Sequence, residues 1–226
     1  MIVYLLVIII IAVAIWIIGL QNAEADWGGP SVNWLDGWTR LICRYIQRLP
    51  EQKINLPETG PAIVVANHVS GADPLLLISA SKRPLRFLIA REEYERPLVS
   101  WVFKKAGCTP VDRNGRPEQA LRQALRALQK GEVIALFPHG KIHLDSDPPR
   151  KIKGGVGRLA SWSAAPVFPV RIDGVTAEGK VFTAPFVPSR VQLTMTPALI
   201  CSPESMLQCL QDISVAIETP VNSKHP

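Results

Sequence analysis

Apolar residues are distributed differently in three successive stretches of the chain. The first stretch, residues 1–20, reads MIVYLLVIIIIAVAIWIIGL and contains no charge. A helix of this length rises about 30 Å, the thickness of a bilayer's hydrocarbon core. Ala23-Glu24-Ala25 resembles a signal-peptide cleavage site, but no basic residue precedes the apolar run, which is also long for a signal peptide. We therefore predict a retained, single-pass transmembrane anchor at residues 1–20.

The second stretch, residues 31–49, has apolar residues at helical spacing. They fall on one arc of a helical wheel: Trp34, Leu35, Trp38, Leu41, Ile42, Tyr45, Ile46 and Leu49. Arg40, Arg44 and Arg48 fall on the opposite arc. Aromatic residues on the apolar side and long cations on the other are typical of a helix in the membrane interface. We predict such an amphipathic interfacial helix; the alternative is an ordinary helix packed on the protein core.

The same segment bears on the orientation of the anchor. Arg40, Arg44, Arg48 and Lys53 all follow the span, and no basic residue precedes it. Positive charge collects on the cytoplasmic side of a membrane span. We therefore expect a membrane protein in which the domain that follows the span lies in the cytoplasm.

The third stretch, residues 55–226, alternates strand and helix patterns. Short apolar runs predict strands at 62–67, 86–90, 108–113, 132–137, 166–172 and 190–195. Helices are predicted after Pro74 and over 91–106, 117–131, 154–164 and 203–217. This alternation predicts an α/β layered fold, with a mixed, partly parallel central sheet flanked by helices.

Charge and cysteine content narrow the function. Of the 25 Lys and Arg, 17 lie in residues 81–158 beside 8 acidic residues, so this region should attract an anion. A phosphorylated small molecule or an anionic lipid surface fits; nucleic acid does not, because aromatic residues are not interleaved with the cations. A solvated basic face is the plainer alternative. The four cysteines form no CxxC pair, and we expect separate, reduced and mostly buried thiols.

A His and an Asp directly follow the first predicted strand of the third stretch. In NHVSGAD, His68 ends the strand and Asp73 begins a helix. A carboxylate on one imidazole nitrogen fixes the tautomer and leaves the other nitrogen as a general base. No GxSxG nucleophile accompanies the pair, so a bound hydroxyl would attack an activated carbonyl directly. Taken alone, a His near an Asp is more often structural, and Asp73 could simply be a helix N-cap.

Several short blocks, taken together, resemble the glycerolipid acyltransferase family. NHVSGAD resembles its His-x-x-x-x-Asp signature, and four further blocks follow in family order over residues 60–175: GCTPVDR, FPHG, KIKGGVGRLA and VFPVRI. The resemblance implies that His68 deprotonates the acceptor hydroxyl and that Asp73 orients His68. It further implies transfer of a fatty acyl group from acyl-CoA or acyl-ACP, as co-substrate and without another cofactor, to a lysophospholipid. 1-Acylglycerol-3-phosphate, giving phosphatidic acid, is the expected acceptor.

The resemblance also implies residues that bind the substrate, and here the sequence departs from the family. Arg113 and the third block would hold the acceptor's phosphate, with Gly140, Lys141 and Lys153 as the binding residues. The family's Glu, Thr and Arg of the third block are His139, Lys141 and Ile142. Loss of the Arg removes a planar, two-pronged phosphate contact that a Lys replaces in charge but not in geometry. A different lyso-lipid acceptor is therefore an alternative.

Two other classes of function remain open. His139 and His143 stand four apart near Asp145 and Asp147, which suggests a metal-dependent lipid hydrolase. Pro138 and Gly140 oppose a regular helix there, and no metal is expected. A non-enzymatic membrane protein that binds anionic lipid would explain the anchor and the charge, but not the ordered blocks.

Overall fold

The computed structural model describes residues 1–97, 99–112, 115 and 117–219. Within these residues the helices are α1 Ile2–Gln21, α2 Pro30–Tyr45, α3 Asp73–Ser79, α4 Arg91–Tyr94, α5 Ser100–Lys105, α6 Pro117–Gln129, α7 Gly155–Ser163 and α8 Met206–Glu218. The strands are β1 Ala62–Ala66, β2 Leu85–Ala90, β3 Thr109–Val111, β4 Val133–Leu136, β5 Val167–Asp173 and β6 Gln192–Met195. A short 3₁₀ helix spans Ala184–Phe186.

The six strands form one mixed sheet in the order β3-β2-β4-β1-β5-β6. The first five run parallel, and β6 is antiparallel to β5. All five residues of β1 are buried, as expected for a central strand covered on both faces. The α/β fold with a mixed, largely parallel sheet and flanking helices is confirmed.

The two faces of the sheet build two separate cores. Side chains alternate along a strand, so Val64 belongs to one core and Ile63 to the other. The first core contains residues of α2 and α3, and the second contains residues of α6, α7 and α8. Parallel strands end at the same edge, so the segments that follow β1 and β4 come together beside the first core.

Helix α1 covers the apolar run and stands largely outside both cores. Its most apolar window has a mean hydropathy of 3.2 and is 6% buried, so this helix could span a membrane. Its C-terminal end packs on α2, where a Cβ on Gly37 would overlap the carbonyl oxygen of Gly19. Trp38 Nε1 donates a hydrogen bond to the carbonyl oxygen of Ile15 at 2.9 Å. The glycines therefore allow the close approach that joins the apolar helix to the domain.

Helix α2 differs from its predicted form in length and in orientation. It ends at Tyr45, and Arg40, expected on the exposed arc, is only 6% exposed. The Arg40 guanidinium pairs with Asp36 at 2.8 Å and donates to the carbonyl oxygens of Ser79 and Ser81. Such pairing is needed because an unpartnered buried charge is costly. The interfacial position of the helix stays a prediction.

Two further expectations were wrong. Residues 91–106 form two helices, α4 and α5, because Pro97 lies between them and disfavours helical geometry in the preceding residue. Cys201 and Cys209 are not separate thiols but form a disulfide, with their Cα atoms 5.7 Å apart. Cys43 and Cys108 are free.

Candidate active site

The segment that joins β1 to α3 brings His68 and Asp73 into direct contact. His68 Nδ1 lies 2.8 Å from Asp73 Oδ2. Because a carboxylate only accepts, Nδ1 carries the proton and Nε2 is left as an acceptor. The His68 side chain is 19% exposed and lines a cavity, whereas the Asp73 side chain is fully buried. The pair therefore has the arrangement of a general base and its orienting group.

Asp73 is fixed by several donors from its own turn. Its Oδ2 accepts hydrogen bonds from the backbone N–H groups of Val69 at 2.6 Å and Ser70 at 2.9 Å. Its Oδ1 accepts one from the Ser70 hydroxyl at 2.7 Å. Asp73 lies inside the first turn of α3, whose N-cap is Ala72 and has no side-chain cap. The carboxylate therefore does not cap the helix but holds the turn and the imidazole.

Two groups from the neighbouring strand β4 and its following loop hold His68 from the other side. The Phe137 ring stacks on the imidazole, with centroids 4.2 Å apart and planes 16° apart. The backbone N–H of His143 donates to the carbonyl oxygen of His68 at 2.7 Å. Asp73 and Phe137 hold the plane of the imidazole, and Nε2 has no hydrogen-bond partner among the residues that the structure describes.

Asn67 ties the end of β1 to β5. Its side-chain amide donates to the carbonyl oxygen of Ile172 at 2.8 Å, and its side-chain oxygen accepts the backbone N–H of Ile172 at 2.7 Å. Asn67 is buried, so both bonds are shielded from water. The residue directly before His68 is thereby anchored to the sheet.

The cavity beside His68 has a volume of about 510 Å³ and a mainly apolar lining. Its walls come from α2, α3, β2 and α5, and include Val32, Leu35, Ile78, Phe87 and Phe103. This volume lies within the range of about 300–1,000 Å³ that is usual for ligand pockets. The cavity therefore suits a long apolar group whose reactive end reaches His68.

The loop after β4 brings two of the predicted binding residues to the cavity, and a third, Lys153, lies against one of them. Gly140 and Lys141 line the cavity together with His68. Gly140 has φ +74°, and a Cβ on it would lie 2.7 Å from Lys153 Nζ, so its lack of a side chain admits that cation. Among the described residues, neither Lys141 nor Lys153 has an ion-pair partner. Arg113 lies outside the described residues.

His139 takes a structural position rather than one at the cavity. It is buried, and its Nε2 lies 2.9 Å from Glu218 Oε1 at the end of α8. Its Nδ1 has no hydrogen-bond partner within the described part of the chain. Burial lowers the pKa of His139 below its ordinary value, although the bond to Glu218 opposes the shift. The residue therefore links the loop to α8 as a neutral imidazole.

The potential metal ligands of this loop are directed to different partners. The rings of His139 and His143 lie 4.6 Å apart, but Asp145 pairs with Arg171 and Asp147 is 3.6 Å from His143. No three His, Cys, Asp or Glu side chains converge anywhere in the described ranges. The donor geometry thus gives the metal-dependent alternative no support.

Several residues at the site were not identified from the sequence. They are Asn67, Ser70, Phe137 and the apolar wall from α2. Phe137 follows β4, and the register Val65↔Leu136 places it beside the end of β1. The signal for its contact with His68 was therefore the strand order, which the sequence alone does not show.

Comparison with known proteins identifies related chains. The family model described as Acyltransferase matches residues 50–173, more than half of the chain. An N-acylphosphatidylethanolamine synthase of Arabidopsis thaliana is 32% identical over 50% of this chain and 43% of its own length. A 1-acyl-sn-glycerol-3-phosphate acyltransferase of Bacillus subtilis is 23% identical over 58% of this chain and 64% of its own. The chain thus spans roughly half to two thirds of the length of these curated relatives.

A solved structure shares the fold. The 1-acyl-sn-glycerophosphate acyltransferase of Thermotoga maritima superposes with a TM-score of 0.64 and 21% sequence identity, over 83% of this chain and 78% of that one. At this identity the similarity speaks for the fold alone.

Proposed function

Because the chain belongs to the acyltransferase family, we propose that it transfers a fatty acyl group to the hydroxyl of a lysophospholipid. The proposed acceptor is 1-acylglycerol-3-phosphate, which would give phosphatidic acid. The proposed donor is a thioester of coenzyme A or acyl carrier protein. The observation that carries the proposal is that His68 lines an apolar cavity while Asp73 holds its Nδ1, which leaves Nε2 as the nitrogen that accepts a proton.

The geometry supports a direct transfer with one base. Nε2 of His68 takes the proton of the acceptor hydroxyl, and the oxygen attacks the thioester carbonyl to form the new C–O bond. As the tetrahedral intermediate collapses, the C–S bond breaks and the imidazolium returns the proton to the departing thiolate. Asp73 stabilises the imidazolium in between, since its carboxylate stays against Nδ1.

The cavity and the loop after β4 are proposed to bind different parts of the substrates. The apolar lining is proposed to hold an acyl chain, with the carbonyl carbon near His68. Lys141 and Lys153 are proposed to meet the acceptor's phosphate, because Lys141 lines the cavity, Lys153 lies against Gly140, and neither has an ion-pair partner among the described residues. Arg113 is proposed to add a phosphate contact on the ground of the family motif.

A second acceptor class is supported by one specific observation. The loop carries His139, Lys141 and Ile142, and the two cations proposed to meet the phosphate, Lys141 and Lys153, are ammonium groups that attract an anion without the planar fork of an Arg. Such a site tolerates other anionic lyso-lipids. The relatives' names also differ in the lipid they give: one names 1-acyl-sn-glycerol-3-phosphate as the acceptor, and the other names N-acylphosphatidylethanolamine as the product.

The location follows from the N-terminal helix. We propose that α1 crosses the membrane once, that α2 lies at its surface and that residues 55–226 form the catalytic domain on the cytoplasmic side. The assignment to the cytoplasmic side rests on four basic residues that follow the span: Arg40, Arg44, Arg48 and Lys53. The Cys201–Cys209 disulfide is more typical of an oxidising compartment, so this part of the proposal depends on charge asymmetry alone.

The test is an acceptor screen with the purified full chain. Lyso-lipids with different headgroups are offered with acyl-CoA or acyl-ACP, and both thiol release and the ester product are measured. We expect ester formation with 1-acylglycerol-3-phosphate, and a rate lower by about 10²–10⁴-fold in His68→Ala.

Three outcomes would contradict the proposal. A folded His68→Ala variant with an unchanged rate would show that His68 is not the base. Thiol release no faster than background with every acceptor would indicate a lipid-binding protein without transfer. Free fatty acid as the product, lost on chelation, would indicate the metal-dependent hydrolase.

A further inference from the structure

We propose that residues 180–187, here called the aromatic loop, form a second contact with the bilayer surface beside the cavity mouth. The loop exposes three large apolar side chains within six positions: Val181 is 45% exposed, Phe182 65% and Phe186 65%. Single exposed apolar residues are ordinary, but a cluster of aromatic residues on one loop marks an interaction surface.

The aromatic loop is attached directly to the turn that carries His68 and Asp73, residues 67–73, here called the catalytic turn. The backbone N–H of Gly71 donates to the carbonyl oxygen of Lys180 at 2.9 Å, and that of Gly179 donates to the carbonyl oxygen of Val69 at 2.8 Å. A Cβ on Gly71 would overlap the carbonyl oxygen of Val181, so the two segments lie in backbone contact. Val181 itself lines the cavity. Whatever the loop touches therefore lies at the entrance to His68.

The loop is also attached to the helix that joins the apolar anchor to the domain. The Gln47 side-chain amide, just after α2, donates to the carbonyl oxygens of Ala184 and Pro185 at 3.0 Å and of Val187 at 3.1 Å. The backbone N–H of Ser189 donates to Ile46 at 3.1 Å. The loop thus continues the surface formed by α1 and α2, and its partner should be the lipid in which α1 lies.

The charges beside the loop fit a headgroup layer. The guanidinium of Arg96 stacks over the Phe182 ring, 4.7 Å from its centroid, and also pairs with Glu93 at 2.8 Å. Lys180 is exposed and has no ion-pair partner in the part of the chain that the structure describes. Aromatic rings with adjacent long cations are typical of the membrane interface, where the rings enter the acyl boundary and the cations meet anionic headgroups.

The chain offers a matched control on its other face. Leu207 and Val215 of α8 are 75% and 63% exposed, so they are apolar and open like the aromatic loop. Helix α8 belongs to the second core, on the opposite face of the sheet from α2 and the cavity. A bilayer that meets α1, α2 and the aromatic loop would leave α8 in water.

The first experiment measures how deeply the aromatic loop lies in the bilayer. Cys108→Ser removes the partly accessible free thiol, and Cys43 is buried. In this background Phe182→Cys and Leu207→Cys each carry an environment-sensitive fluorophore, with the full chain in vesicles of phosphatidylcholine and phosphatidylglycerol. We expect a nitroxide on the lipid to quench the label at 182 and aqueous iodide to quench the label at 207. Equal quenching of both labels by iodide would overturn the proposal. The proposal would also fail if the label at 182 were shielded from iodide by a second copy of the chain and not by lipid.

The second experiment measures the consequence for transfer, and it rests on the proposed function. Phe182→Ser with Phe186→Ser is compared with Leu207→Ser with Val215→Ser. For a lyso-lipid acceptor embedded in vesicles, we expect the first pair to lower the rate about tenfold or more and the second pair to leave it unchanged. A short-chain acceptor dissolved as monomers should react at the wild-type rate with both double variants.

Equal losses on vesicle-borne and dissolved acceptors would overturn the proposal, because they would mean damage to the site itself. Thermal unfolding of both double variants checks that the fold is kept. If the wild-type chain transfers no acyl group, the proposed function fails while the quenching experiment still decides whether the loop meets lipid.

Discussion

The catalytic turn, residues 67–73, and the loop after β4, residues 137–153, reach the same cavity from neighbouring strands but are built differently. In the turn, Asp73 accepts from His68, from two backbone N–H groups and from the Ser70 hydroxyl. In the loop, Lys141 and Lys153 have no described ion-pair partner, and buried His139 keeps one nitrogen unpaired.

Under the proposed function, this difference corresponds to two tasks of an acyltransferase. Proton transfer needs a base within hydrogen-bond reach and in one orientation, which suits the hydrogen-bonded turn. Attraction of a phosphate needs positive charge that is not already neutralised, which suits Lys141 and Lys153. Changes in the turn should therefore act on kcat, and changes in the loop on the KM of the acceptor.

The largest effect is expected from Asp73→Asn. An amide in place of the carboxylate removes the charge that stabilises the imidazolium, and it offers a donor where Nδ1–H needs an acceptor. We expect kcat to fall by about 10²–10⁴-fold with little change in the KM of the acceptor. Initial rates over a range of acceptor concentrations measure both constants.

Ser70→Ala is the matched control for this change. It removes one donor to the same carboxylate but leaves the contact of Asp73 with His68. A loss of about tenfold is expected, typical of one buried hydrogen bond. If Asp73→Asn raised only the KM, the division between turn and loop would be wrong.

Removal of the loop cations should have a smaller and different effect. Lys141→Met and Lys153→Met keep most of the side-chain length and delete the charge. Each should raise the KM of a phosphorylated acceptor about tenfold, the usual size of one charge-assisted contact, and leave kcat nearly unchanged. The measurement is the same pair of constants, taken with 1-acylglycerol-3-phosphate.

Lys151→Met serves as the control, because Lys151 is exposed on the same loop but does not line the cavity as Lys141 does and is not among the atoms nearest Gly140, which belong to Lys153. Its KM should stay at the wild-type value. Equal increases in all three variants would mean that the loop acts through its total charge, and not through the two cations at the mouth.

The contact of His68 with Asp73 could be predicted from the sequence because the partners of Asp73 are local. A continuous apolar strand, then a His, then an Asp five positions on, is a pattern in which every hydrogen-bond donor to Asp73 lies within one short segment. The strand and helix alternation likewise predicted the α/β sheet. Pro97, which divides residues 91–106 into two helices, was visible in the sequence but was not used.

What could not be predicted depends on residues far apart in the chain. Arg40 looked solvent-exposed on a helical wheel, yet the carbonyl oxygens of Ser79 and Ser81 accept from it inside the fold. Phe137 meets His68 only because β4 pairs with β1. The link from His139 to Glu218 spans 79 positions. None of these pairings leaves a periodic signal in the sequence.

The smallest expected effect concerns His139 and the pH dependence of stability. Burial lowers the pKa of His139 in the folded chain below the ordinary value of 6.5, which the unfolded chain keeps. Below pH 6.5 the unfolded state therefore binds more protons than the folded state. As the pH is lowered, the free energy of unfolding decreases until the pH reaches the lowered pKa of the folded state. Above pH 6.5 both states are neutral and this contribution is constant.

His139→Gln should remove that slope while an amide keeps a hydrogen bond to Glu218. The other three histidines are present in both proteins, so the difference between them isolates His139. Between about pH 7.5 and pH 5.5, the wild-type chain should lose more unfolding free energy than the variant, by at most about 1.4 kcal/mol, the limit set by one pH unit below the ordinary pKa. Thermal unfolding followed by tryptophan fluorescence in detergent micelles measures this. Parallel losses in the two proteins would mean that His139 takes up its proton equally in the folded and unfolded states, so below pH 6.5 the loop would carry a further cation beside its Lys and Arg side chains.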